Sequence, residues 1–152
     1  MEERGSDAQT LSLVAHDMIA RHVSATVHDS STPCVVDGDQ ILLQQVLMNL
    51  VMNAVDALTE MPPDRRHVTI GCTVSGVDVE ISVRDEGPGI DAADLPYVFD
   101  RFYRSADARP LPGSGLGLAI VRQTAEAHGG YVRAENDPKG GARLAVSFGA
   151  AV

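Results

Sequence analysis

A chain of 152 residues, 44% of them hydrophobic, is long enough to bury one core; with 4% aromatic residues and no Trp, aliphatic side chains must fill it. Its formal net charge of −9 argues against a nucleic-acid partner, which calls for a basic face. A nucleotide stays open, because Mg²⁺ and backbone dipoles neutralise phosphates locally.

The elements follow in chain order. Residues 1–9 are polar and read as a frayed tail. Leu11, Val14, Ala15 and Met18 have helical spacing, which predicts a helix from Leu11 to about His22. Val23 to His28 reads as a short strand and Ser30-Ser31-Thr32-Pro33 as a loop. Cys34 and Cys72 stand in no metal-type spacing; they read as lone cysteines of a reducing compartment or as small buried residues. Asp39 is placed to cap a long helix running to about Glu60, and Pro62-Pro63 is its stop. His67 to Val74 and Val77 to Asp85 are strands joined by a hairpin at Ser75-Gly76. Val77, Val79, Ile81 and Val83 alternate with polar residues, so one face of that strand is buried.

Residues 86–114 are rich in Gly, Pro, Asp and Arg, with a helical turn predicted near Leu95 to Phe102. An irregular stretch of that length is typical of lids and binding loops. A second helix is predicted from about Ser114 to His128, ended by Gly129-Gly130. Strands Tyr131 to Glu135 and Ala142 to Phe148 follow. No signal peptide and no apolar run of membrane-spanning length is evident, so a cytoplasmic location is expected; a parent protein with its own membrane anchor stays open.

The long helix carries the first chemistry. Each helical residue turns about 100°, so Gln45, Asn49, Asn53 and Asp56 share one narrow stripe. Leu43, Leu47, Leu50, Ala54 and Leu58 form the opposing face, and Met48, Met52 and Val46 border the stripe. A solvated helix face is usually wide and rich in Lys and Glu. Neutral amides between apolar borders fit a cleft, or amides that satisfy backbone groups in a core. In a cleft, Asn offers a carbonyl oxygen to a hard cation such as Mg²⁺ without adding charge.

Two glycine segments follow. Asp85 ends a buried strand, and Gly87 and Gly89 let the backbone approach a planar ligand. A carboxylate there accepts from the exocyclic amino group of adenine, whereas guanine presents a carbonyl; the alternative is a tight turn capped by Asp85. Gly113, Gly115 and Gly117 stand at the start of a helix, where free N–H groups and the positive helix end attract phosphate. The spacing is neither the dinucleotide fingerprint nor a Walker A loop, and a flexible helix start is the alternative. The order of the three elements is far more specific than any one of them.

In that order the residues resemble the catalytic and ATP-binding domain of sensor histidine kinases, one branch of the group that includes DNA gyrase, the Hsp90 chaperones and the MutL repair proteins. Gln45 to Ala54 resembles the N box, Asp85 to Ile90 the G1 box, Val98 to Arg104 the F box, and Gly113 to Leu118 the G2 box. Gly140-Gly141-Ala142 before a last strand is similar to the family's end. The resemblance covers about residues 35–149 as the ATP-binding domain, with 1–34 as a tail, helix and first strand. It implies the α+β Bergerat fold: a two-layer sandwich whose mixed, mainly antiparallel sheet is covered on one face by helices.

The resemblance further implies ATP and Mg²⁺ as cofactors. Asn53 would ligate the metal, Asn49 would assist at the phosphates and Asp85 would read adenine. Gly87, Gly89 and Ile90 would shape the base pocket. Residues 91–114 would form the ATP lid, anchored by Phe99 and Phe102. Gly113, Gly115, Leu116, Gly117 and Leu118 would cradle phosphate, chiefly through backbone N–H groups. Arg101 and Arg104 are candidates for a phosphate contact, or solvated lid arginines.

Water-cleaving relatives carry a Glu base four residues before the metal-binding Asn; here that position is Asn49. An amide does not take up a proton at neutral pH, so phosphoryl transfer to a positioned acceptor is favoured over ATPase turnover. The family's acceptor histidine lies in a motif like His-Glu-x-x-x-Pro on a dimerisation hairpin. His16-Asp17-Met18 lacks that pattern, and His22, His28, His67 and His128 read as surface or packing residues. The expected partners are therefore a histidine-bearing hairpin of the same or a related kinase and a downstream response regulator. The sequence itself is expected to be monomeric and inactive alone. The rivals are a serine kinase of the anti-sigma-factor type and a nucleotide-binding scaffold without catalysis.

Overall fold

The computed structural model describes residues 22–28, 40–58, 61–75, 78–100 and 117–150. Strand β1 (Ser24–His28) is followed by helix α1 (Gln40–Ala57), strands β2 (His67–Ser75) and β3 (Asp78–Asp85), helix α2 (Gly117–Ala127) and strands β4 (Tyr131–Asn136) and β5 (Ala142–Ala150). Short 3-10 turns occupy Pro63–Arg65 and Leu95–Tyr97.

The five strands form one sheet in the order β1-β2-β3-β5-β4. β1 runs parallel to β2 and every other neighbouring pair is antiparallel. The parallel pair requires a crossover, and α1 lies within it. α1 packs on β2 and β3, α2 packs on β4 and β5, and the helices touch each other. This is the two-layer α+β arrangement that the resemblance implies.

The sequence period explains the layer. On α1, Val46, Leu47, Leu50, Val51, Ala54, Val55 and Leu58 are buried in two adjacent columns. They meet Val68 and Ile70 of β2, Val79, Ile81 and Val83 of β3, and Leu144, Val146 and Phe148 of β5. Branched residues at alternate strand positions supply this face, as the period of two requires. Val46, which borders the polar stripe, is itself part of this core. The opposite sheet face is polar. Glu80 takes both Arg133, through Nη2 at 3.0 and 3.1 Å, and Arg143 at 3.0 Å, and Arg143 reaches Glu135 at 2.9 Å. These long side chains stand around Ala145 and Ser147, which are buried on that face.

The boundaries shift for local reasons. Within the predicted turn near Leu95 to Phe102, a 3-10 turn covers Leu95–Tyr97, while Arg101 and Phe102 lie outside the described residues; just before it, the Asp91 carbonyl accepts from Asp94 N–H at 2.8 Å and the Asp91 carboxylate from Ala93 N–H at 3.1 Å. The predicted cap at Asp39 and the predicted helix up to Arg21 lie outside the described residues. Cys72 is buried, as one of the two readings has it, and is disulfide-bonded, which corrects the reading of it as a lone cysteine. Cys34 is the chain's other cysteine and lies outside the described residues.

Helix α2 ends in a Schellman motif. Gly130 N–H donates to Ala125 C=O at 2.8 Å, Gly129 N–H to Glu126 C=O at 3.1 Å, and Gly129 has φ +75°. A Cβ on Gly130 would stand 1.6 Å from the backbone oxygen of Ser147 in β5. Backbone on both sides cannot yield as a side chain does. Gly130→Ala is therefore expected to lower stability by about 3 kcal/mol, read as a fall in the denaturant midpoint. An unchanged midpoint would mean that this corner relaxes freely.

Candidate functional site

Helix α1 presents its polar stripe away from the sheet. Gln45, Asn53 and Asp56 are exposed and Asn49 is half-buried, while Met48 and Met52 lean on the core beside them. Asn49 Nδ2 donates to the carbonyl of Gly117 at 3.2 Å, which ties the middle of α1 to the first residue of α2. A Cβ on Gly117 would lie 3.7 Å from the Asn49 amide, an ordinary contact. The amide stripe and the start of the second helix, read from sequence as separate elements, are thus brought together.

Asp85 stands at the end of β3 and is 4% exposed. Its Oδ1 accepts from Gly87 N–H at 2.8 Å and from Ala142 N–H at 3.4 Å. Among the described residues, Oδ2 takes no hydrogen bond. Burial pushes the carboxyl above its ordinary value of 3.8, opposed by the two backbone N–H groups and by the Arg84 charge. Gly87, beside it in the turn, is buried bare backbone. A Cβ on Gly87 would stand 2.9 Å from Asp85 Oδ1 and 3.0 Å from the carbonyl of Ala57, at the end of α1. The glycine lets the Asp85 turn lie directly against that helix end.

Two further groups meet here. Phe99 is 7% exposed and joins the core, with Val98, Ile90 and Leu118 packed partly against it. Asp100 pairs with Arg122 of α2 at 3.1 Å, so the segment after the Leu95–Tyr97 turn is fastened to the helix as well as to the core. Arg101, Phe102, Arg104, Gly113, Gly115 and Leu116 lie outside the described residues.

Two histidines carry structure. His67 Nδ1 lies 2.7 Å from Ser24 Oγ and its Nε2 2.9 Å from Thr26 Oγ1, which buttons β2 to β1. His128 Nδ1 lies 2.7 Å from the Thr124 carbonyl, with the ring edge-on to Phe148. No group of three or more potential metal-ligating His, Cys, Asp or Glu occurs among the described residues.

Sequence reasoning passed over the β4–β5 turn as a contributor to the site. Ala142 N–H reaches Asp85, and a Cβ on Gly141 (φ +92°) would fall 1.9 Å from the Asp85 carbonyl. The signal was present in Gly140-Gly141-Ala142, but it read only as the approach to a last strand.

A family model described as histidine kinase-, DNA gyrase B- and HSP90-like ATPase matches residues 38–151. The chain belongs to this ATPase family. Among its curated relatives is the signal transduction histidine-protein kinase/phosphatase MprB of Mycolicibacterium paratuberculosis, 42% identical over 120 residues, which are 77% of this chain and 22% of that protein. The MprB of Mycobacterium bovis is 46% identical over 109 residues, 70% of this chain and 20% of that protein. The chain thus spans about a fifth of the length of these relatives.

Solved structures agree with this membership in the ATPase family. The mycobacterial sensor histidine kinase MprB superposes with a TM-score of 0.82 at 29% identity, covering 99% of this chain and 95% of that one. The ATP-binding domain of PrrB from Mycobacterium tuberculosis gives a TM-score of 0.70 at 29% identity, covering 95% of this chain and 93% of that one. This chain is an ATP-binding catalytic domain of the histidine-kinase kind. Among the described residues, no helix is long and apolar enough to cross a membrane.

Proposed function

We propose that this domain binds Mg-ATP between α1, the Asp85–Ile90 turn and the start of α2, and delivers the γ-phosphoryl group to a histidine on a dimerisation hairpin. A response regulator would then take the phosphoryl group from that histidine. The observation that carries the reading is Asp85: buried, held by two backbone N–H groups on Oδ1, with Oδ2 unengaged among the described residues. Such an oxygen suits the exocyclic amino group of adenine and opposes the carbonyl of guanine.

Asn53 would supply the metal with its amide oxygen. It is exposed on the α1 stripe one turn beyond Asn49, which reaches Gly117. The donor set fits Mg²⁺, which takes few protein ligands and completes its octahedron with phosphate oxygen and water. Bound there, the ion would neutralise charge on the transferring phosphate. Asn49 occupies the place of a general base but is an amide engaged with a carbonyl, so it has no proton-accepting role. Positioning and charge neutralisation supply the catalysis, as phosphoryl transfer permits. Gly87, Gly89 and Ile90 would bound the base pocket, and Phe99 would anchor the lid. Gly113, Gly115, Leu116, Gly117 and Leu118 would meet phosphate, with Arg101 and Arg104 as candidates beside them.

Calorimetric titration tests the binding half. ATP with Mg²⁺ is expected to bind, GTP to bind at least about tenfold more weakly, and chelation of the metal to weaken ATP binding. The transfer half needs γ-labelled ATP and a separately made histidine hairpin from a related kinase. Label on the hairpin histidine supports the reading. Tight binding with no transfer to any hairpin would leave a nucleotide-binding scaffold, and label on a serine would favour a serine kinase.

A further inference from the structure

The turn between β4 and β5 acts as a mould for the Asp85–Ile90 turn. Asn136, the last residue of β4, holds both backbone groups of Ile90: its Oδ1 accepts from Ile90 N–H at 2.7 Å and its Nδ2 donates to Ile90 C=O at 2.6 Å. A carboxamide carries one acceptor and one donor, the same complement as a peptide unit. The side chain therefore does for Ile90 what a neighbouring strand would do. Gly89 has φ +84°, and a Cβ there would stand 3.0 Å from Asn136 Oδ1, so the glycine is what lets the amide close in.

The surrounding contacts converge on the same few residues. Gly141 packs bare against the Asp85 carbonyl and Ala142 N–H reaches Asp85 Oδ1. Arg65 Nε donates to the Glu86 carbonyl at 3.2 Å. Beyond the clamp, Arg84 of β3 lies 3.6 Å from Asp137, next to Asn136. Asp85, Glu86 and Ile90 are thus each fixed by a residue outside the glycine turn itself.

We propose that Asn136 is a positioning residue of the nucleotide site: by clamping Ile90 it fixes the Gly87–Gly89 turn, and with it the depth of the adenine pocket. Its role in this proposal runs through Ile90. The inference rests on the reading of Asp85 as the adenine acceptor, and it deepens that reading by naming what sets the pocket's shape.

The test pairs two readouts on the intact chain. The first is amide hydrogen exchange at Ile90 without nucleotide, with Ile81 and Val146 in the sheet as internal controls of folding. The second is ADP affinity by calorimetry. Asn136→Ala is expected to speed exchange at Ile90 at least about tenfold, to leave the sheet amides unchanged, and to weaken ADP binding by about tenfold. Asn136→Asp keeps the shape and the acceptor but puts a carboxylate against the Ile90 carbonyl, and it is expected to weaken ADP binding as much. Parent-like exchange at Ile90 in Asn136→Ala would overturn the clamp. Faster exchange with unchanged ADP affinity would overturn its role in the site. A parent chain that binds no ADP would remove the site itself, and the exchange readout separates that outcome because it needs no nucleotide.

Discussion

Asn53→Ala is expected to abolish measurable phosphoryl transfer while the domain stays folded. Asn53 is exposed on the α1 stripe, outside the buried columns that hold the helix, so its removal leaves no cavity. An ion held by this ligand would neutralise charge on the transferring phosphate, worth several kcal/mol in the transition state, so losing the ligand corresponds to a rate loss on the order of a thousandfold. Nucleotide is expected to bind still, through the adenine end, with a weaker response to Mg²⁺. The measurement is initial transfer rate to a supplied histidine hairpin against Mg²⁺ concentration, beside the unfolding midpoint. Parent-like transfer at ordinary Mg²⁺ would dismiss Asn53 as the ligand.

Asp85→Asn should give the opposite separation, with affinity lost at the base end. An amide keeps an oxygen for the Gly87 and Ala142 N–H groups but places a donor where the ligand's amino group also donates. Loss of a charge-assisted hydrogen bond plus that donor clash predicts about a hundredfold weaker ATP binding. Stability should move the other way. The folded-state value of this carboxyl is raised by burial, so its contribution is most favourable at low pH and is lost as pH rises past the ordinary 3.8 and through the raised value. At neutral pH the uncharged variant is therefore expected to be at least as stable as the parent. The same shift dictates a pH trend in binding. The ligand's amino group needs the ionised carboxylate, so parent affinity should fall as pH drops through a point above 3.8, and the variant should lack that limb. A variant that binds ATP as tightly as the parent across this range would dismiss Asp85 as the adenine reader.

The sequence read well wherever one short stretch carries its own reason. The alternation of Val79, Ile81 and Val83 announced β3, and the glycines at 129 and 130 announced the end of α2. The Gln45–Asp56 stripe was legible as a stripe, and in the structure Gln45, Asn53 and Asp56 are exposed and Asn49 is half-buried. What stayed hidden depends on partners far along the chain. Val46 borders the stripe and is also fully buried, because β2 and β3 pass beneath α1. Asn49 reaches Gly117, and Asn136 clamps Ile90, across long separations that no periodicity encodes. The bonded state of Cys72 is hidden in the same way.

The strand order has a consequence for how the domain is made. β5 follows all the other strands in sequence, yet it lies between β3 and β4. Until it arrives, β3 has an open edge of unpaired N–H and C=O groups and β4 has no partner. During synthesis the emerging chain must therefore wait with α1, β2 and β3 only half enclosed, exposed to pairing with another nascent copy. Asp85 also lacks Ala142 and its Gly141 backing in that interval. On the proposed reading of Asp85, a chain that has not yet placed β5 would therefore have no finished adenine site to fill.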